Sequence, residues 1–89
     1  MQIIFTDGFN KSYKKRIEPN GKLERKFEER SKLFSEGRLD LVKDHGLKGR
    51  KVGLRAFSVT GDIRVVYELR EDGRILFVDI GSHNQVYGK

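Results

Sequence analysis

Five side chains in the second half of this 89-residue chain can transfer protons or stabilise charge: His45, Asp62, Arg64, His83 and Tyr87. Histidine exchanges protons near neutral pH, and the chain has only two. His83 and Tyr87 stand four positions apart in the closing run "DIGSHNQVYGK". An extended tail puts them on one side through the even spacing, and a helical tail does the same through the i,i+4 spacing. Metal-free RNA cleavage needs only these types of group. A base takes the 2′-hydroxyl proton, cations stabilise the charge building on phosphorus, and an acid protonates the leaving 5′-oxygen. The competing reading makes the tail a polar terminus that keeps a sheet end soluble, and the histidines ordinary surface groups.

Basic residues crowd the same region. Lys48, Arg50, Lys51, Arg55 and Arg64 fall between 48 and 64 against the single acid Asp62. On and beside strands such residues form a positively charged surface suited to phosphates; a solvated loop is the plainer account of Lys48, Arg50 and Lys51. The whole chain carries 19 Lys and Arg against 13 Asp and Glu, a net charge of +6. That excess favours polyanionic partners without separating nucleic acid from acidic protein or membrane.

Other chemistries lack their residues. There is no cysteine, which excludes disulfides and thiolate metal sites and fits a reducing cytosol. No His-x-x-x-His or carboxylate cluster has metal-ligand spacing, and Asp62 has no second acid close by for two-metal phosphoryl chemistry. Phosphate-loop, nucleophile-elbow and dinucleotide fingerprints are missing, so no cofactor is expected. The opening "MQIIFTDGFN" is too short for a signal-peptide core or a membrane span, and the protein is expected in the cytoplasm.

The elements that must position these groups follow from periodicity. Hydrophobic and charged residues each make up 36% of the chain, enough for one thin-cored domain over residues 1–89. "QIIF" predicts a strand at 2–5. Thr6 or Asp7 then caps a helix at about 8–17, with Phe9, Tyr13 and Ile17 one turn apart. "EPNG" interrupts, and a second helix follows at roughly 20–35, with Leu23, Phe27 and Phe34 as its buried stripe and Gly37 at its end. The segment "RLDLVKDHGLKGRK" reads as an ordered loop anchored by Leu39, Leu41, Val42 and Leu47. Three antiparallel strands come next, at about 52–59, 62–70 and 74–81, joined through Thr60-Gly61 and Asp72-Gly73. The last is apolar on both faces, which predicts an interior place in the sheet. The fold class is α+β, β-α-α-β-β-β, with two helices on one face of a small, mostly antiparallel sheet.

These segments carry a resemblance. "FNKSYKKRI", "FEERSKLF", "DHGLKGRKVGLRAFSVTGDIRVVYE" and "DIGSHNQVY" together resemble the RelE/ParE superfamily of type II toxin–antitoxin toxins, nearest its YafQ-like branch. The resemblance covers nearly the whole chain. It implies a metal-independent mRNA endoribonuclease of bacteria or archaea, acting on messages in the ribosomal A site by 2′-hydroxyl attack. It also implies silencing by a cognate antitoxin, expected to be acidic and partly disordered when free. By the resemblance His45 matches the loop histidine, Asp62 the acid ahead of the strand, His83 the tail histidine and Tyr87 the tail aromatic. Arg64 matches the arginine that would hold the scissile phosphate, and Arg55 and Lys48 fall in basic stretches. Ser58 stands where YafQ-like members often carry another histidine, four positions before the acid. The preferred assignment makes His83 the general acid and His45 or Asp62 the base, with Tyr87 orienting the substrate; the acid and base labels are exchangeable. A ParE-like gyrase poison and a silent member that only binds antitoxin or RNA share the fold and are the alternatives.

Overall fold

The computed structural model describes residues 2–47 and 53–87. Lys48, Arg50 and Lys51 lie outside the described residues. In chain order the elements are β1 (Gln2–Phe5), α1 (Asp7–Arg16), α2 (Gly21–Ser35), β2 (His45–Gly46), β3 (Leu54–Ser58), β4 (Ile63–Leu69), β5 (Arg74–Ser82) and α3 (His83–Tyr87). The expected order is present with two additions, the two-residue strand β2 inside the loop and the terminal helix α3.

Local chemistry sets the boundaries. The Thr6 hydroxyl accepts from the Phe9 amide at 3.2 Å and donates to the Phe77 carbonyl at 2.9 Å, capping α1 and tying it to β5. Asn20 caps α2 by accepting from Lys22 and Leu23. At the other end Gly37 takes φ 81°, its amide donates to Phe34 and that of Arg38 to Leu33. This left-handed turn satisfies the last helical carbonyls, and glycine adopts it without steric cost.

The sheet order is β1-β5-β4-β3-β2, with β1 parallel to β5 and the other pairs antiparallel. The strand that is apolar on both faces, β5, does lie inside the sheet. A register shift against Val66 and Tyr67 of β4 interrupts its alternation, and Phe77 and Ile80 both join the helix-side core. That core contains Phe9, Ile17, Phe27, Phe34, Phe57, Val65, Tyr67, Ile75 and Phe77. Of the four expected loop anchors, Val42 is fully buried, whereas Leu39 and Leu41 are exposed. Leu47 packs against the cluster on the other sheet face, and the Val42 carbonyl accepts from the Ser58 amide at 2.7 Å, pinning the loop to β3.

The opposite face carries a second, smaller cluster of Ala56, Val66 and Val86, with Leu47, Leu54, Val78 and Tyr87 against it. Through Val86, with Tyr87 beside it, α3 docks on this face by apolar contact.

Candidate active site on the open sheet face

Register decides which functional side chains meet. Directly paired residues on neighbouring antiparallel strands share a face. His45 pairs with Ala56, Ala56 with Val66, and Ser58 with Arg64. Since Ala56 and Val66 carry α3, the side chains of His45, Ser58 and Arg64 belong to the face on which α3 sits.

A reciprocal cap builds α3. The Ser82 hydroxyl accepts from the Gln85 amide at 3.2 Å, and the Gln85 side chain accepts from the Ser82 amide at 2.8 Å. This Ser-x-x-Gln arrangement satisfies two amides that a helix start otherwise leaves open. The turn brings the His83 and Tyr87 rings edge to face at 4.4 Å. Asp62, in the β3–β4 turn, accepts from the His83 amide at 3.4 Å, and Ile63 pairs with Ser82. Asp62, His83 and Tyr87 therefore form one group at the hairpin end of the sheet. The Tyr87 hydroxyl is buried with no hydrogen-bond partner among the described residues.

Arg64 pairs in register with Gly81, two residues before His83. Its Nη1 donates to the carbonyls of Thr60 and Gly61 at 3.0 and 2.9 Å, which turns the guanidinium toward the hairpin end. There it lines a hollow that His83 does not line. On β2, His45 is exposed, with Nδ1 3.0 Å from the Lys43 carbonyl. A carbonyl only accepts, so neutral His45 carries its proton on Nδ1 and leaves Nε2 as an acceptor.

Arg55 is set apart. Its guanidinium bonds to Asp44 at 2.5 Å and to the Tyr67 hydroxyl at 3.2 Å, and that hydroxyl also donates to Asp44. Tyr67 belongs to the helix-side core, so this trio braces the 39–44 loop on the face away from Arg64 and Ser58. The Asp44 carboxylate is 4% exposed. Burial is the main force pushing the Tyr67 phenol above its ordinary value, with the Asp44 hydrogen bond adding to it. A raised folded value favours the neutral phenol. Its stabilisation is full below the unfolded value of about 10 and fades as pH rises through the folded one. Asp44→Asn is expected to cost about 2 kcal/mol, the scale of a hydrogen bond to a charged group. In thermal melts this appears as a Tm lowered by roughly 10 °C at pH 7, and in the wild type the Tyr67 contribution fades above about pH 10.

Among the described residues no group of three His, Cys, Asp or Glu could hold a metal ion, and no helix is long and apolar enough to cross a membrane.

The comparison with known families decides the affiliation. The family described as bacterial toxin of type II toxin-antitoxin system, YafQ, matches residues 1–88. The chain belongs to the YafQ toxin family. No curated protein sequence matches it. Among solved structures, YafQ from E. coli strain BL21(DE3) superposes with a TM-score of 0.81 at 22% identity, covering 98% of each chain. A copper-bound mutant toxin from Helicobacter pylori gives 0.78 at 25% identity over 97% of this chain and 98% of that one. The E. coli DinJ-YafQ complex gives 0.78 at 23% identity, with 98% of each chain covered.

Two features of this YafQ-family chain escape a residue-by-residue sequence reading. The "SHNQ" run carries the Ser-x-x-Gln signature that makes the tail helical, a signal present in the sequence. Lys26, Arg30 and Lys43, which meet Arg64 at the hollow, leave no linear signal because they come from a helix and a loop far from β4 in sequence.

Proposed function

We propose that this YafQ-family toxin is a metal-independent endoribonuclease that cuts mRNA on the ribosome. One observation carries the reading: α3 docks on the sheet face that bears His45 and Arg64, so base, cation and acid candidates share one surface. His45 Nε2 takes the 2′-hydroxyl proton, and the 2′-oxygen forms a bond to the adjacent phosphorus. The bond from phosphorus to the 5′-oxygen breaks, and that oxygen takes a proton from His83. The products are a 2′,3′-cyclic phosphate and a 5′-hydroxyl. Arg64 stabilises the charge on the phosphoryl oxygens. Asp62, engaged with the His83 amide, positions the acid, and Tyr87 flanks its ring. Arg55 acts through Asp44 and Tyr67 and holds the loop that leads to His45.

So few proton-transfer groups favour dependence on the ribosome, which pre-positions the message. A cognate antitoxin is the expected protein partner, by likeness to the E. coli YafQ seen with DinJ. The net charge of +6 suits an acidic one that is partly disordered when free.

Primer extension on translated message tests the reading, with codon-spaced cuts as the expected result. Growth arrest with intact message and inhibited gyrase supercoiling would replace it with the poison reading. Arg64→Gln is expected to lower the single-turnover cleavage rate on programmed ribosomes by about 10²-fold, the scale of one lost charge stabiliser. A wild-type rate in that variant would remove Arg64 from the chemistry.

A further inference from the structure

At the hairpin end of the sheet a hollow of about 320 Å³ opens between α2, the 39–44 loop and the β3–β4 turn. Its charged lining is Lys26, Arg30, Lys43 and Arg64, with no carboxylate among the lining residues. Lys26 and Arg30 stand one turn apart on α2 and so share a face. Lys26 has one carboxylate nearby, Glu29 at 3.4 Å in a solvent-exposed pair, a weak competitor for its charge. Arg30 Nη1 donates to the Leu41 carbonyl at 3.3 Å, while its Nε is buried with no partner among the described residues. A buried donor without an acceptor is costly, and an oxyanion entering the hollow offers it one. Lys43 takes φ 55°, a left-handed backbone that costs a lysine about 1 kcal/mol. Four like charges around one opening repel each other until an anion joins them.

We propose that this hollow is a second phosphate subsite, holding a backbone phosphodiester of single-stranded RNA away from the cleaved bond. The inference rests on the nuclease reading above and extends it. Arg64 and Ser58 belong both to the hollow and to the face carrying His45 and α3, so a strand lying across that face is led into the hollow. The site reads charge and not base identity, since its charged groups are all cations and its other lining residues are Leu41, Ser58, Val59, Thr60 and Gly61. An acidic segment of a protein partner presents the same charge, and the test separates the two.

The test uses the full chain with Lys26→Gln and Lys43→Asn together, because asparagine tolerates the left-handed backbone at 43. The probe is a 2′-O-methyl oligoribonucleotide, which the toxin cannot cleave. The wild type binds it with a salt dependence that falls, in the double variant, by roughly 0.7 in log–log slope for each cation removed from a phosphate. Cleavage on programmed ribosomes shows KM raised about 10-fold with kcat within twofold, a split that a general loss of structure does not produce. If the double variant melts early, Lys26→Glu alone on the exposed helix surface gives the same readings. Wild-type RNA affinity and salt slope in a folded variant overturn the subsite. So does intact RNA binding with loss of the antitoxin complex, which would make the hollow a seat for acidic peptide. Failure of the wild type itself to cut translated message sinks the nuclease reading; wild-type cutting with unchanged variants sinks only the subsite.

Discussion

Replacing His83 by alanine is expected to lower the single-turnover cleavage rate by on the order of 10²–10⁴-fold, the usual contribution of a positioned general acid. The fold should survive. His83 is exposed and its ring packs edge-on against Tyr87. The contacts that build α3 come from elsewhere: the Ser82–Gln85 cap, the backbone amide held by Asp62, and Val86 on Ala56 and Val66. Alanine keeps all of them, so the Tm should move by no more than a few degrees. Loss of cleavage with an unchanged melt identifies a reagent. Loss accompanied by early melting would make His83 a structural residue, and wild-type cleavage would move the acid elsewhere.

The largest stability effect is expected at Phe77, which lies at the meeting point of the core. Its ring centroid is 5.5–6.5 Å from those of Phe5, Phe9, Phe27, Phe34, Phe57 and Tyr67. Phe77→Ala removes a fully buried ring whose neighbours come from β1, α1, α2, β3 and β4, so no single element can collapse to fill the space. The cost should be about 3–5 kcal/mol. Domains of this size are stable by roughly 5–15 kcal/mol, so the variant should lose 15 °C or more of Tm, or fail to accumulate folded. Circular dichroism melts measure this directly. A shift below 5 °C would show the core to be more plastic than its packing indicates. Because the lost packing would also disturb β5 and the α3 that follows it, activity of this variant is not a test of mechanism.

Periodicity placed β1, both long helices and the three long strands to within about two residues, because each buries one face. Phe9 and Ile17 on α1, and Phe27 and Phe34 on α2, are buried as their spacing implies. The interior place of β5 also followed from its doubly apolar pattern. Sequence and structure part where burial does not repeat. Leu39 and Leu41 look like anchors by type, yet the loop is held by Val42, its backbone bond to β3 and the Asp44–Arg55–Tyr67 contacts. Arg55 is as basic as Arg64, and a sequence cannot say which basic residue an acid on another segment will claim. Asp44 claims Arg55.

By itself the sequence determined the α+β class, the strand and helix order, and the inventory of proton-transfer and cationic groups. Those depend on local spacing and residue type, which short-range physics fixes. Only the tertiary structure decided that His45, Ser58, Arg64 and the His83–Tyr87 pair belong to one sheet face, that Arg55 belongs to the other, and that Lys26, Arg30 and Lys43 join Arg64. The faces turn on strand register and on α3 docking through Val86 and Tyr87, and the hollow on where α2 and the loop pack against the β3–β4 turn. A one-residue slip in register would send those side chains to the opposite face without changing a letter of the sequence.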